Sequence, residues 1–163
     1  AGINKMSNCK YEQKLLTQYW DTIKNDNFSL INCNCRAKIY SDLEYIETTT
    51  TNKIHWRIEA KSHMSKDAYN AVHKIFGELL KETGRTPISD EVLVKYGILL
   101  DGRHSFITKM RGKEFFKKYF QCIEFEKYKK FGLLIPVEKI IIYTQGSPII
   151  TYGWNEFMEE TED

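Results

Sequence analysis

The chain predicts an α/β fold, a mixed central sheet with helices on both faces. From Ile54 to Lys61 the side chains alternate, with Ile54, Trp56, Ile58 and Ala60 on one face and His55, Arg57, Glu59 and Lys61 on the other. That is the period of a strand with one face in the core. The run Tyr96-Gly-Ile-Leu-Leu is apolar throughout and suits a central strand buried on both sides. Helix-spaced apolar stripes lie before and between these runs. An order of helix, strands, helix and strand implies a mixed sheet layered by helices.

The first helix is expected from about Ser7 to Asn25. Leu16, Tyr19 and Ile23 recur there at helical spacing, with Leu15 and Trp20 flanking, while Lys10, Lys14, Gln18 and Asp21 face outward. Glu12 precedes Leu16 by four positions and Tyr19 by seven, so it shares their inward stripe. A carboxylate in that place is either a first-turn acid favoured by the helix dipole or a group held toward an interior polar site. Phe28 to Tyr40 reads as the first strand and Asp42 to Thr48 as the second, with Leu43 and Tyr45 facing away from Asp42, Glu44 and Ile46. A Thr/Asn turn leads to the third strand, Ile54 to Lys61. Ser65 then caps a helix with a buried stripe of Ala68, Val72, Ile75, Phe76, Leu79 and Leu80, ending at Thr83-Gly84. A short amphipathic turn, Ser89 to Val94, enters the central strand.

Between Arg103 and Lys130 nine basic residues stand against three acids, which leaves the rest of the chain net acidic. Aromatic residues interleave with these lysines. Phe116, Phe120 and Ile123 are helix-spaced and read as core, while Lys113 and Lys117 share another face. Such a helix is either an ordinary solvated one or a surface for a phosphate backbone, with Arg111, Lys113 and Lys117 as its contacts. Val137 to Thr144 reads as a further strand that pairs with Ile149 to Tyr152 through the Gly146-Ser-Pro turn. The acidic end, Asn155 to Asp163, reads as frayed.

At 163 residues with 42% hydrophobic content and a net charge of +2, the chain can bury one sizeable core and is expected to be one domain, soluble and cytoplasmic. No apolar run approaches the roughly 20 residues of a membrane span, and without a charged-then-apolar start no secretion is expected. Cys33 and Cys35 fall on one face of the expected first strand and read as buried, reduced thiols. Neither they, Cys9 and Cys122 nor the histidines show the spacing of a zinc site.

The chemistry points to Asp42, Glu59 and Lys61. Two carboxylates that converge from adjacent strands can hold a hard divalent cation and leave positions for water and a phosphate. A lysine two residues beyond the second acid projects to the same side. It can orient or deprotonate an attacking water, or neutralise charge that develops on phosphorus. Taken together, these residues resemble the PD-(D/E)xK nuclease superfamily, the restriction-endonuclease-like fold. Its core runs α-β-β-β-α-β, and residues 7 to about 101 read in that order, with 102–154 as an addition and 155–163 as a tail. The family's first acid matches Asp42, and its E-x-K matches Glu59-Ala60-Lys61. Ser41 stands where many members have proline, and Glu44 or Glu47 competes with Asp42. The acid many members carry on the first helix matches Glu12.

The resemblance implies metal-dependent hydrolysis of a phosphodiester, in DNA before RNA. Asp42, Glu59 and the carbonyl of Ala60 would bind Mg²⁺ or Mn²⁺, Lys61 would position the water, and Glu12 would act through water or a second ion. The alternative keeps the fold and the basic 103–130 surface without catalysis, as a nucleic-acid-binding or assembly subunit. Whether the chain works as a homodimer stays open, since cutting both strands with one site takes two copies and no interface signature is visible.

Overall fold

The computed structural model describes residues 2–159, the side chains of residues 2–8 excepted. Helix α1 (Gly2–Ile23) is followed by strands β1 (Phe28–Cys33), β2 (Leu43–Thr48) and β3 (Lys53–Lys61), then α2 (Ala68–Glu82) and β4 (Val92–Asp101). Two helices, α3 (Gly112–Phe120) and α4 (Phe125–Leu134), precede β5 (Val137–Tyr143), β6 (Ile150–Tyr152) and α5 (Trp154–Glu159). The strands form one six-stranded sheet in sequence order. β1, β2 and β3 make an antiparallel meander, β3, β4 and β5 run parallel, and β6 returns antiparallel on β5. The parallel connections are made by helices, as a crossover requires.

Both faces of the sheet are covered. On one, Leu15, Leu16 and Tyr19 of α1 pack against Leu43, Tyr45, Trp56, Ile58, Ala60, Leu99 and Ile141. On the other, α2, α3, α4 and α5 enclose Ile98, Leu100, Ile140 and Ile142 with Ile75, Leu79, Phe116, Phe120 and Phe157. The alternation read in β3 puts Trp56, Ile58 and Ala60 beneath α1. Its consequence on the opposite face differs from a solvated strand. There His55, Arg57, Glu59 and Lys61 are all buried, at 1%, 2%, 6% and 4% exposure.

The first strand stops at Cys33 rather than Tyr40, because Asn34 starts a turn. Its side-chain oxygen accepts the Arg36 N–H at 2.8 Å, and its carbonyl accepts the Ala37 N–H at 3.3 Å, an asparagine's usual way of breaking a ladder. The residues from Asn34 to Ser41 therefore form a loop, and the strand parity expected for Cys33 and Cys35 does not apply. Cys35 instead forms a disulfide with Cys9 of α1, a correction to the reduced thiols expected, while Cys33 and Cys122 remain free.

Four further departures are local. Val92 already belongs to β4. Ile123 lies past the end of α3 and only partly joins the core. Leu80 is 54% exposed, one position off the stripe of Ala71, Val72, Ile75 and Leu79. The acidic end begins as a helix, because Tyr128 and Trp154 stack at 4.3 Å and exchange hydrogen bonds, Tyr128 Oη to the Trp154 carbonyl and Trp154 Nε1 to the Tyr128 carbonyl, each 2.7 Å. This pin carries Phe157 into the core, and residues 160–163 lie outside the described residues.

At the end of β4 a side chain on Gly112 would begin 1.6 Å from the Asp101 carbonyl oxygen. Only glycine lets α3 start so close to the sheet. Among the described residues no helix is long and apolar enough to cross a membrane.

Burial separates two neighbouring leucines. Leu79→Ala is expected to cost about 2–5 kcal/mol in urea unfolding, as a core truncation does. Leu80→Ala should stay within about 0.5 kcal/mol of the parent, as surface changes do.

Candidate functional site

The site forms where β3 outruns β2. Leu43 is the last residue of β2 to pair, opposite Ile58, whereas β4 accompanies β3 to Lys61. Ala60 therefore presents its outer edge to no strand. The Asp42 side chain takes the place of that strand, its Oδ2 accepting the Ala60 N–H at 2.9 Å. Asp42 is itself held by its main chain, whose carbonyl accepts the Asn34 N–H at 2.9 Å and the Asn32 amide at 3.3 Å. Its neighbour Ser41 donates its N–H to Glu44 Oε2 at 2.5 Å.

Glu12 from α1, Asp42, Glu59 and Lys61 line one pocket of about 370 Å³, with Glu78 from α2 and Lys38 and Tyr40 from the loop. The Asp42 and Glu59 carboxyls lie close enough to shift one another. Burial pushes Glu59 well above its ordinary value, with Asp42 and Glu78 adding to it. Burial also lifts Asp42, to about 6, against the pull of Lys61, the Ala60 N–H and Glu59. Two carboxylates so close do not both ionise readily. Glu12 is raised to about 8, chiefly by burial and in part by Asp42 and Glu78. Its Oε1 is buried with no hydrogen-bond partner.

Lys61 responds oppositely. Burial alone would lower it, but Glu12, Glu78 and Asp42 together hold it above its ordinary value. Its ammonium donates to Glu78 Oε2 at 2.7 Å. The charged form is thereby favoured, which suits orienting a water or offsetting charge on phosphorus.

Glu78 was not singled out from the sequence, although a signal was present. Ile75, Glu78, Leu79 and Glu82 stand at i, i+3, i+4 and i+7, so two acids sit on or beside the inner stripe of α2. Glu44 does not compete with Asp42. It is fully buried, its oxygens taken by His55 Nε2 at 2.7 Å, the Ser41 N–H and Arg85 Nη2 at 2.6 Å. Burial would raise it, but these bonds hold it below its ordinary value. Glu47 accepts from Trp56 Nε1 at 3.0 Å. His63, two residues beyond Lys61, is buried. It stacks on Phe115 with its Nε2 3.1 Å from the Met110 carbonyl, and burial lowers it.

Arg111, Lys113 and Lys117 do not line the carboxylate pocket. Arg111 is exposed just before α3, and the Lys113 ammonium lies 5.1 Å from the Tyr152 ring centre. Among the described residues no three His, Cys, Asp or Glu side chains form a ready metal cluster.

No family model matches the chain, and no curated protein matches it. Two solved structures are similar in shape. One is an fdxN element excision controlling factor protein from Anabaena variabilis, with 12% identity, 81% of this chain and 88% of that chain covered, and a TM-score of 0.42. The other is an XisH family protein from Nostoc punctiforme, with 16% identity, 81% and 89% coverage, and a TM-score of 0.41.

Glu12 sets a pH dependence of folding. The fold raises its pKa from 4.5 to about 8, so its contribution is complete below pH 4.5 and is lost as pH rises through 8. Glu12→Gln, which cannot ionise, should match the parent near pH 4 and exceed it by on the order of 3 kcal/mol above about pH 9 in urea unfolding without added metal. A parent whose stability is flat across that range would contradict the assignment.

Proposed function

We propose that the chain is a metal-dependent nuclease that hydrolyses phosphodiester bonds in DNA, and in RNA second. The observation that carries this reading is the Asp42–Glu59 carboxyl pair beside a charged lysine, in a pocket open enough for a phosphate. The donor set suits Mg²⁺ or Mn²⁺, which take one or two carboxylates and keep several waters. A residue's N–H and C=O leave a strand on the same edge, so the Ala60 carbonyl shares the edge from which its N–H reaches Asp42. Asp42, Glu59 and that carbonyl would hold the ion, and the unpartnered Glu12 oxygen is a further acceptor for water bound there. When present, such an ion polarises the phosphoryl oxygen and lowers the pKa of its water.

The chain's own groups account for the rest. Lys61 keeps its proton, so it orients the attacking water and offsets negative charge on phosphorus. Glu78 aims the Lys61 ammonium. Glu12 accepts a hydrogen bond from the water or, once ionised, its proton. A nucleic-acid strand would also meet Arg111 just before α3 and Lys113 and Lys117 on it, where the first residue of α3 abuts the end of β4. A reading without catalysis, as a binding or assembly subunit, draws on the lack of a three-residue metal cluster among the described residues.

Titration calorimetry with Mn²⁺ separates the two. Binding is expected to release a proton and to tighten as pH rises through about 6, where Asp42 ionises. Asp42→Asn should abolish it. With Mg²⁺ present, Asp42→Asn and Lys61→Ala should each slow cleavage of a labelled oligonucleotide by at least ~10²-fold while leaving the circular dichroism spectrum unchanged. Parent-like cleavage by both variants would rule out this site, and absence of metal binding by the parent would favour the subunit reading.

A further inference from the structure

Beside the carboxylate pocket lies a second cleft of about 560 Å³ between α1 and the loop after β1, lined by Lys10, Gln13, Lys14 and Arg36 with Cys9 and Cys33. No acid lines it. Lys10 and Lys14 stand one helical turn apart on the same face, so their charges repel. Both are exposed, as is Arg36, and among the described residues no carboxylate forms an ion pair with any of the three side chains. Like charges kept together without a neutralising partner suit an anionic ligand, and the guanidinium and ammonium groups are those that bind phosphate.

The cleft is built rather than incidental. Gln13, between the two lysines, donates its side-chain N–H to the Cys33 carbonyl at 3.1 Å and accepts the Cys35 N–H at 3.0 Å. The Cys9–Cys35 disulfide makes a second tie. Together they fix the distance between the lysines of α1 and Arg36 of the loop. Cys9 lines this cleft and Cys35 lines the carboxylate pocket, so the two cavities share a wall. Past that wall, Lys38 and the 40%-exposed Tyr40 border the carboxylates, a cation and an aromatic side chain, the residue types that hold an unpaired base.

We infer that the Lys10–Lys14–Arg36 cleft binds the phosphodiester backbone of the nucleic-acid strand next to the bond held among Asp42, Glu59 and Lys61. This rests on the reading of that pocket as the cleavage site, and it adds a surface the segment from Arg103 to Lys130 does not supply.

The test reads binding alone. Fluorescence polarisation of labelled single-stranded DNA, duplex DNA and single-stranded RNA is followed in EDTA across a salt series, for the parent, for Lys10→Ala/Lys14→Ala/Arg36→Ala and for Arg111→Ala/Lys113→Ala/Lys117→Ala. The first triple variant is expected to bind at least ~10-fold more weakly. The slope of log affinity against log salt should fall by about two to three, one step for each phosphate left without a cation. Parent-like affinity and slope in that variant, with weakening confined to the α3 variant, would overturn the inference. So would displacement by inorganic phosphate at an equal concentration of phosphate groups, which would make the cleft a site for a free anion. Because no metal is present, a protein that binds through the cleft and never cuts refutes only the nuclease reading. A protein that cuts but binds without regard to these three residues refutes only this inference.

Discussion

The constraint behind the rest of the structure is that β3 buries both of its faces. Trp56, Ile58 and Ala60 need only apolar contact, and α1 supplies it. His55, Arg57, Glu59 and Lys61 are buried on the opposite face, where an unmatched charge would cost several kcal/mol. Each therefore finds its partner inside the protein. His55 meets Glu44, Arg57 donates to the carbonyls of Glu82, Arg85 and Thr86, and Lys61 meets Glu78. Removing one partner would strand the other, so these residues are set as a group.

Along this row the carboxyl groups change in character, from one held ionised to ones raised by burial. At the His55 and Arg57 end, Glu44 has its oxygens filled and is held below its ordinary value, although His55 Nδ1 and Arg57 Nε beside it are buried without a hydrogen-bond partner. At the Lys61 end, Glu12 keeps an oxygen without a partner, Asp42 and Glu59 are both raised by burial, and both lie where β2 no longer covers β3. The two ends are linked through the chain. Glu44 accepts the Ser41 N–H, and Ser41 leads directly into Asp42. Glu44, with both oxygens engaged, thus anchors the main chain that presents Asp42, a division of labour between rigid support and reactive groups.

Much of this could be read from the residues, because it depends on period. Alternation in β3 put Glu59 and Lys61 on one face. Helical spacing turned Glu12 inward with Leu16 and Tyr19, and the apolar run from Tyr96 marked the centre of the sheet. What could not be read depends on elements distant in sequence. That α2 covers the polar face of β3, and that Glu78 reaches Lys61 across it, follows from a crossover that no local pattern encodes. Parity misplaced Cys35, because the turn at Asn34 ends the strand first. The acidic end looked unstructured on charge alone, since its anchor is Trp154 stacked on Tyr128, 26 positions earlier.

The bond between Cys9 and Cys35 couples the site to the electron balance of its surroundings. It closes a segment of 26 residues, which restricts the unfolded chain by about 3.5 kcal/mol on a loop-entropy argument. It also spans the two pieces of backbone that deliver Glu12 and Asp42. Oxidised, the sulfurs hold helix and loop as one rigid frame. Reduced, the same carboxylates rely on the amide of Gln13 to keep them in register.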